Sequence, residues 1–497
     1  MKKEDGEKDV SKLCSSNGQS KPCLTEITYK VYYFLFYGSI GSSIPFLAVY
    51  FKQLGLSAGH AGVLIGLRLL MEFIGAPLWG WIGDKYNVRK IILFFSVASF
   101  SAGTLLVLIV QPENQQCIET RGNKTLIYPL TFLPEGGVMI LGQPIEKASQ
   151  LPRFYNKSHV TTSTWKVDET ELKKIFFICF GLIFVCQILG SVVYIMPNVL
   201  LIGLLEGRSD KFGTFQMWGE CSVAASSFLV GGVISLYESE VCGKIVSNYH
   251  ISFYFFAGFS ALSLVTIFFM HAKYSDDELS QSASIWTLVK ELLLYRNIIF
   301  IALAFYLGVL VGLHEHFGLW YLDDLGAQPY MLGIAAGFRY AVASLGYLFS
   351  GTIITKIGPA PTSAVCLALY VAIYMGFAFV LNPWIGVVLF VSQGIMYSLG
   401  WATCVVFGAA VSSKAGFHGA IQGVLGGFHW GLGVGSGIMV SGLVINQVGV
   451  PRTYFIFSLI SVAILALFLF AYWVASFKKD TGDTGYKLIE TEEKENP

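Results

Sequence analysis

Arg68 and Glu72 stand four residues apart in an otherwise apolar run, 59–82. At that spacing both fall on one face of a helix. Charge inside a bilayer is costly, so an ionisable residue there is a candidate for function. The pair has two readings. It can neutralise itself and serve the fold, or a proton on Glu72 can free Arg68 to hold an anionic group. Arg339 lies in a second apolar run, but the residue four places on is Ala343. Its compensation must come from Glu72 across an interface, from the preceding run, or from a bound anion.

His314-Glu315-His316 closes that preceding run. At roughly 100° per residue the three side chains diverge, so they form no metal cluster and only one or two can face a common cavity. A satisfied polar cluster near the surface is the other reading. His429 sits among Gly423, Gly426, Gly427, Gly431, Gly433 and Gly435. Such a glycine face suits close helix packing; the histidine itself can titrate near neutrality or serve packing through a hydrogen bond. Glu220 reads as a polar contact inside a bundle.

The elements that hold these residues follow from composition. The chain has 497 residues, 54% hydrophobic and 13% charged, about half the charge of a soluble domain. That excludes a soluble surface and predicts a multi-pass membrane protein. A net charge of +1 leaves no basic surface for nucleic acid. Apolar runs long enough to span a bilayer lie at 29–51, 59–82, 91–110, 175–203, 217–236, 250–271, 297–320, 330–354, 362–381, 384–410, 418–446 and 453–475. Twelve spans in two sets of six are predicted: an all-α fold of two pseudo-symmetric bundles, 29–271 and 297–475. A cytoplasmic linker, 272–296, joins them, with an amphipathic face at Ile285, Leu288, Leu292 and Leu293 suited to the inner leaflet.

The two sets repeat. Gly66-Leu67-Arg68 recurs as Gly337-Phe338-Arg339, an offset of 271 (339 − 68). At that offset Gly41, Leu54-Gly55, Gly62, Gly75, Gly80 and Lys85 meet Gly312, Leu325-Gly326, Gly333, Gly346, Gly351 and Lys356 without a gap. Duplicated bundles are a transporter architecture, with the binding site near the midplane between the halves.

Lys and Arg gather in alternate short loops (Lys85, Arg89, Lys90, Arg208, Lys211, Lys273, Lys356, Lys414), which places those loops and both tails, 1–28 and 476–497, in the cytoplasm. The segment 111–174 then lies outside. It carries two glycosylation sequons, at Asn123 and Asn156. Cys117 and Cys242 are the two cysteines on that oxidising side, so a disulfide between them is expected, with two unpaired thiols as the alternative. No cysteine spacing suits a metal, and no cofactor is expected beyond a proton gradient. Tyr486 and Ile489 in the charged tail resemble a tyrosine-based sorting signal. The plasma membrane is the expected location, with endosomal or lysosomal membranes as the alternative.

Gly80-Trp81-Ile82-Gly83-Asp84-Lys85-Tyr86-Asn87-Val88-Arg89-Lys90 resembles the loop signature between spans two and three of the major facilitator superfamily. The resemblance implies a gating motif of Gly80, Asp84, Arg89 and Lys90, in which Asp84, Arg89 and Lys90 belong to a charge relay at the inner gate. Asn87 replaces the usual glycine, whereas its repeat mate Gly358 keeps it. Glu72 to Gly80, Phe317 to Gly326 and Gln422 to Gly437 look like the group of major facilitator superfamily domain-containing protein 6, also described as macrophage MHC class I receptor 2 homologues and related to lactose-permease-like proton symporters. Those relatives imply proton-coupled uptake. The expectation is a non-enzymatic transporter of a small, anionic solute, with Arg68, Glu72, Arg339, His314, Glu315 and His429 as binding and coupling residues. The alternative is a surface receptor that engages a protein partner through 111–174.

Overall fold

The computed structural model describes residues 20–112, 115–121, 124–132, 138–140, 145–146, 162–167, 169–205, 212–241, 244–270, 295–415 and 424–480. Among the described residues, twelve helices are long and apolar enough to cross a membrane, from Thr25–Gln53 (span one) and Ala58–Gly83 (span two) to Val424–Val448 (span eleven) and Val450–Tyr472 (span twelve). Helices are what such sequences must form, because hydrocarbon offers no partner for a bare backbone N–H or C=O. The expected fourth span, 175–203, is two helices. Glu169–Leu189 and Ile195–Leu205 flank a turn in which Gly190 N–H closes on Cys186 O and Val193 N–H on Gly190 O.

Each half packs alike. Span one lies on span five, two on four and three on six; span seven lies on eleven, eight on ten and nine on twelve. The duplication reaches the backbone. Span one ends at Gly55 (φ 88°) and span seven at Gly326 (φ 84°), a left-handed position that glycine reaches without strain. Leu56 N–H returns to Phe51 O, and Ala327 N–H, 271 residues on, returns to Leu322 O. Asn87 (φ 53°) and Gly358 (φ 87°) share the next such turn. Asn is the substitute that tolerates this geometry best.

The connection between spans three and four carries an antiparallel sheet, an element the apolar periodicity did not predict. β1 (Gln115–Arg121) pairs with β2 (Lys124–Phe132) and with β5 (Thr162–Val167), while β3 (Val138–Ile140) and β4 (Ile145–Glu146) pair with β2. A second hairpin, β6 (Glu238–Val241) with β7 (Lys244–Ser247), joins spans five and six. Both connections leave the same end of the bundles, here the sheet end. The opposite end, where span one begins and span twelve ends, is the tail end.

The halves meet along spans two and eleven, five and eight, and one and seven. Glycines make that approach possible at the sheet end. A Cβ on Gly62 would stand 2.8 Å from Ile438 O, and one on Gly333 would stand 2.8 Å from the Cα of Gly231. The last inter-bundle ring contacts toward the tail end are Phe73 with Phe428 and Phe228 with Phe338. Beyond them, the repeat mates Gly80 and Gly351 have open space where a Cβ would be.

Candidate functional site at the midplane

The two repeat-mate arginines sit in opposite circumstances. Arg339, on span eight, is 1% exposed. Its Nε donates to Gln393 Oε1 at 2.7 Å and its Nη2 reaches Glu315 Oε2 at 3.4 Å. Gln393 in turn donates to Tyr370 Oη at 2.8 Å, and Tyr340 donates its hydroxyl to the other Glu315 oxygen. The guanidinium also lies over the rings of Tyr340 and Tyr397, 4.8 and 4.9 Å from their centres. Of the three expected compensations for Arg339, the preceding run supplies the partner, through Glu315.

Arg68, on span two, has no such cage. Its guanidinium lies over Phe100, 5.0 Å from the ring centre, and among the described residues no hydrogen bond or ion pair holds it. Glu72 lies one turn away but makes no ion pair within 4 Å; mutual neutralisation as a contact pair is therefore not formed. Tyr194 and Tyr37 are within electrostatic reach of Glu72. A small cleft of about 10 Å³, room for one water molecule, lies beside Arg68 among spans one, three and four of the first bundle, and its polar lining is Arg68, Thr104 and Gln187. Gln187 on span four is to Arg68 what Gln393 on span ten is to Arg339. In the second half the amide caps the guanidinium; in the first half both groups are left to the cleft.

The remaining expected residues go elsewhere. His314 is fully buried inside the second bundle, its ring stacked 4.8 Å from Phe390 and edge-on to Phe377. His429 is 1% exposed; its Nδ1 bonds Ala304 O at 2.8 Å, and its ring packs on Trp401 and Trp430. It lies in a π-helical turn, Gly427–Val434, whose glycines admit Phe73 of span two and the backbone of span seven. Neither histidine joins Arg68, so geometry assigns both to packing. His316 does come near the interface, within electrostatic reach of Arg68 and Arg339. At the tail end, Lys90 Nζ donates to Phe268 O at 2.9 Å, while Arg89 is partly buried. The side chain of Asp84 lies outside the described set, as do Asn123, Asn156, Cys242, Tyr486 and Ile489; Cys117 is described through its backbone in β1. No His, Cys, Asp and Glu cluster among the described residues suits a metal.

A sequence profile of the MFS_1 like family matches residues 26–457. The chain belongs to that family. It is a major facilitator, a multi-pass membrane protein with the fold of secondary transporters. The mouse major facilitator superfamily domain-containing protein 6-like is 20% identical over 86% of both chains. The multidrug resistance protein MdtG of Salmonella typhi is 27% identical over 42% of this chain and 56% of its own. Among solved structures, the nucleoside transporter NupG superposes with a TM-score of 0.62 at 16% identity, covering 90% of this chain and 99% of that one. The D-xylose-proton symporter superposes at 0.55 and 11% identity, covering 90% and 96%. At these identities the superpositions speak for the fold alone.

Proposed function

We propose that this major facilitator carries a small anionic solute by alternating access, coupled to protons. The observation that supports it is the asymmetry of the repeat-mate arginines: Arg339 is closed by Glu315 and Gln393, whereas Arg68 faces a cleft with no protein anion. A buried guanidinium with no contact ion pair favours a carboxylate or phosphate group that can form one, with a fork geometry suited to either. Gln187 adds a neutral donor beside it. Glu72, one turn along, opposes anion entry while ionised and permits it once protonated, which ties solute to proton.

On this reading the sheet end faces out, in agreement with the Lys and Arg bias of the loops. Glycine contacts that close the sheet end, and open space beside Gly80 and Gly351 toward the tail end, support an inward-facing conformation on this reading. Uptake of pooled metabolites into proteoliposomes, with and without an inward proton gradient, tests it. Gradient-driven accumulation lost in Glu72→Gln and Arg68→Ala is expected. Accumulation of nothing by folded protein would sink the reading and favour a receptor. The five-stranded sheet between spans three and four is what a receptor would use, and deleting it would then abolish partner binding.

A further inference from the structure

Glu220, on span five, is a second acidic group at the bundle interface, and its circumstances differ from those of Glu315. It is 7% exposed and its Oε2 has no hydrogen-bond partner. Span five packs on span eight across the interface. The titratable and charged groups around Glu220 are Tyr37 of span one, Arg339, Tyr340 and Tyr347 of span eight, Glu315 of span seven and Tyr397 of span ten. Arg339 is the one cation among them, and it is already engaged by Glu315. An ionised carboxylate with a buried, undonated oxygen and a committed cation for a neighbour is poorly held. A proton on that oxygen removes the difficulty.

Charge counting gives this a consequence. Arg339 and Glu315 cancel. Arg68, Glu72 and Glu220 remain, so the ionised midplane is one negative charge in excess before any solute enters. A monovalent anion on Arg68 leaves neutrality only if Glu72 and Glu220 are both protonated. We infer that Glu220 is a second proton-carrying carboxylate of the transport cycle: the empty site is neutral with one proton shared between Glu72 and Glu220, and a monovalent anion on Arg68 enters with the second, so that one anion moves with one proton and no net charge. The inference rests on the assignment of Arg68 and Glu72 above.

Infrared difference spectroscopy of the full chain in lipid, stepped from alkaline to acidic pH with no ligand added, reads the carbonyl stretch of protonated carboxyl groups. Wild type should gain two such bands, Glu220→Gln should lose one and Glu72→Gln the other. Glu220→Asp should keep a band at a shifted position, which separates loss of the group from loss of the fold. A Glu220→Gln spectrum identical to wild type overturns the inference while leaving Glu72 in place. A Glu72→Gln spectrum identical to wild type, with a band still lost in Glu220→Gln, instead overturns the underlying assignment and with it the proton count.

Discussion

Lys52 and Asp323 are the same position of the two repeats, 271 residues apart, and they pair with each other across the pseudo-twofold axis. Lys52 Nζ also reaches Asp324 Oδ1 at 2.6 Å and lies over the Trp320 ring, 5.6 Å from its centre. Each terminates its span at the matched glycine turns of Gly55 and Gly326. Duplication alone would set like side chains opposite each other at this point. Opposite charges there turn a symmetric contact into a latch between spans one and seven.

The latch should bias the equilibrium without deciding it. Partly exposed ion pairs contribute about 0.2–1 kcal/mol, so Lys52→Asp or Asp323→Lys alone should raise sheet-end opening a few-fold. The double exchange, Lys52→Asp with Asp323→Lys, should return most of it. Maleimide labelling rates of an Ala58→Cys probe, buried at that interface, measure this; equal rates in the singles and the double would refute the latch.

The glycine contacts should matter more than the charges. Gly62→Ala and Gly333→Ala each drive a Cβ to 2.8 Å from backbone of the other bundle, an overpacking of about 1–3 kcal/mol that falls on the sheet-closed form. Both should lower transport and increase labelling of the same probe. Gly80→Ala and Gly351→Ala, with open space around the added methyl, should leave labelling unchanged. A uniform effect across all four would mean that helix propensity, and not the interface, is being perturbed.

Much of this was legible in the residues. The spans came from apolar run length, because lipid demands it, and the 271-residue offset already places Lys52 on Asp323, although opposite charges at one register position pass for a mismatch when identity is sought. Gly62 and Gly333 were visible as mates, their partners were not. The break at Gly190 and the five-stranded sheet have no apolar signature. Arg68 with Glu72 looked like a contact pair because spacing fixes only the helix face; where a long side chain ends is set by other helices, and here Phe100 and the cleft win. Gln187 and Gln393 gave no signal, since a neutral amide in an apolar run reads as an incidental polar residue until a guanidinium is beside it.

The two arginines should separate stability from transport. Removing one partner of a buried ion pair leaves an uncompensated charge and costs about 3–5 kcal/mol, so Glu315→Ala should lower the melting temperature by several degrees in detergent. Arg68→Ala removes a cation that, among the described residues, has no ion pair or hydrogen bond and lies only over the Phe100 ring; it should cost less stability than Glu315→Ala and abolish gradient-driven uptake. Thermal unfolding of the two variants side by side is the check, and a larger loss for Arg68→Ala than for Glu315→Ala would show that Arg68 is a structural group after all.

The orientation can be tested on the inserted sheet. β1 ends at Arg121 and β2 begins at Lys124, and the sequon at Asn123 falls between them in the sequence. If the sheet end is extracellular, Asn123→Gln and Asn156→Gln should each remove one glycosidase-sensitive step in gel mobility of protein made in a secretory-competent cell. The sequence positions of Cys117, in β1, and Cys242, between β6 and β7, would then put both, one in each sheet-end connection, on the oxidising side. A bond between them should appear as a change in mobility on reduction, absent in either Cys→Ser variant. Tying those connections together would restrain spans three to six at one end, so the reduced protein should unfold at lower temperature. A protein that carries no glycan and keeps both thiols reactive would place the sheet in the cytoplasm and reverse the direction in which Arg68 meets its solute.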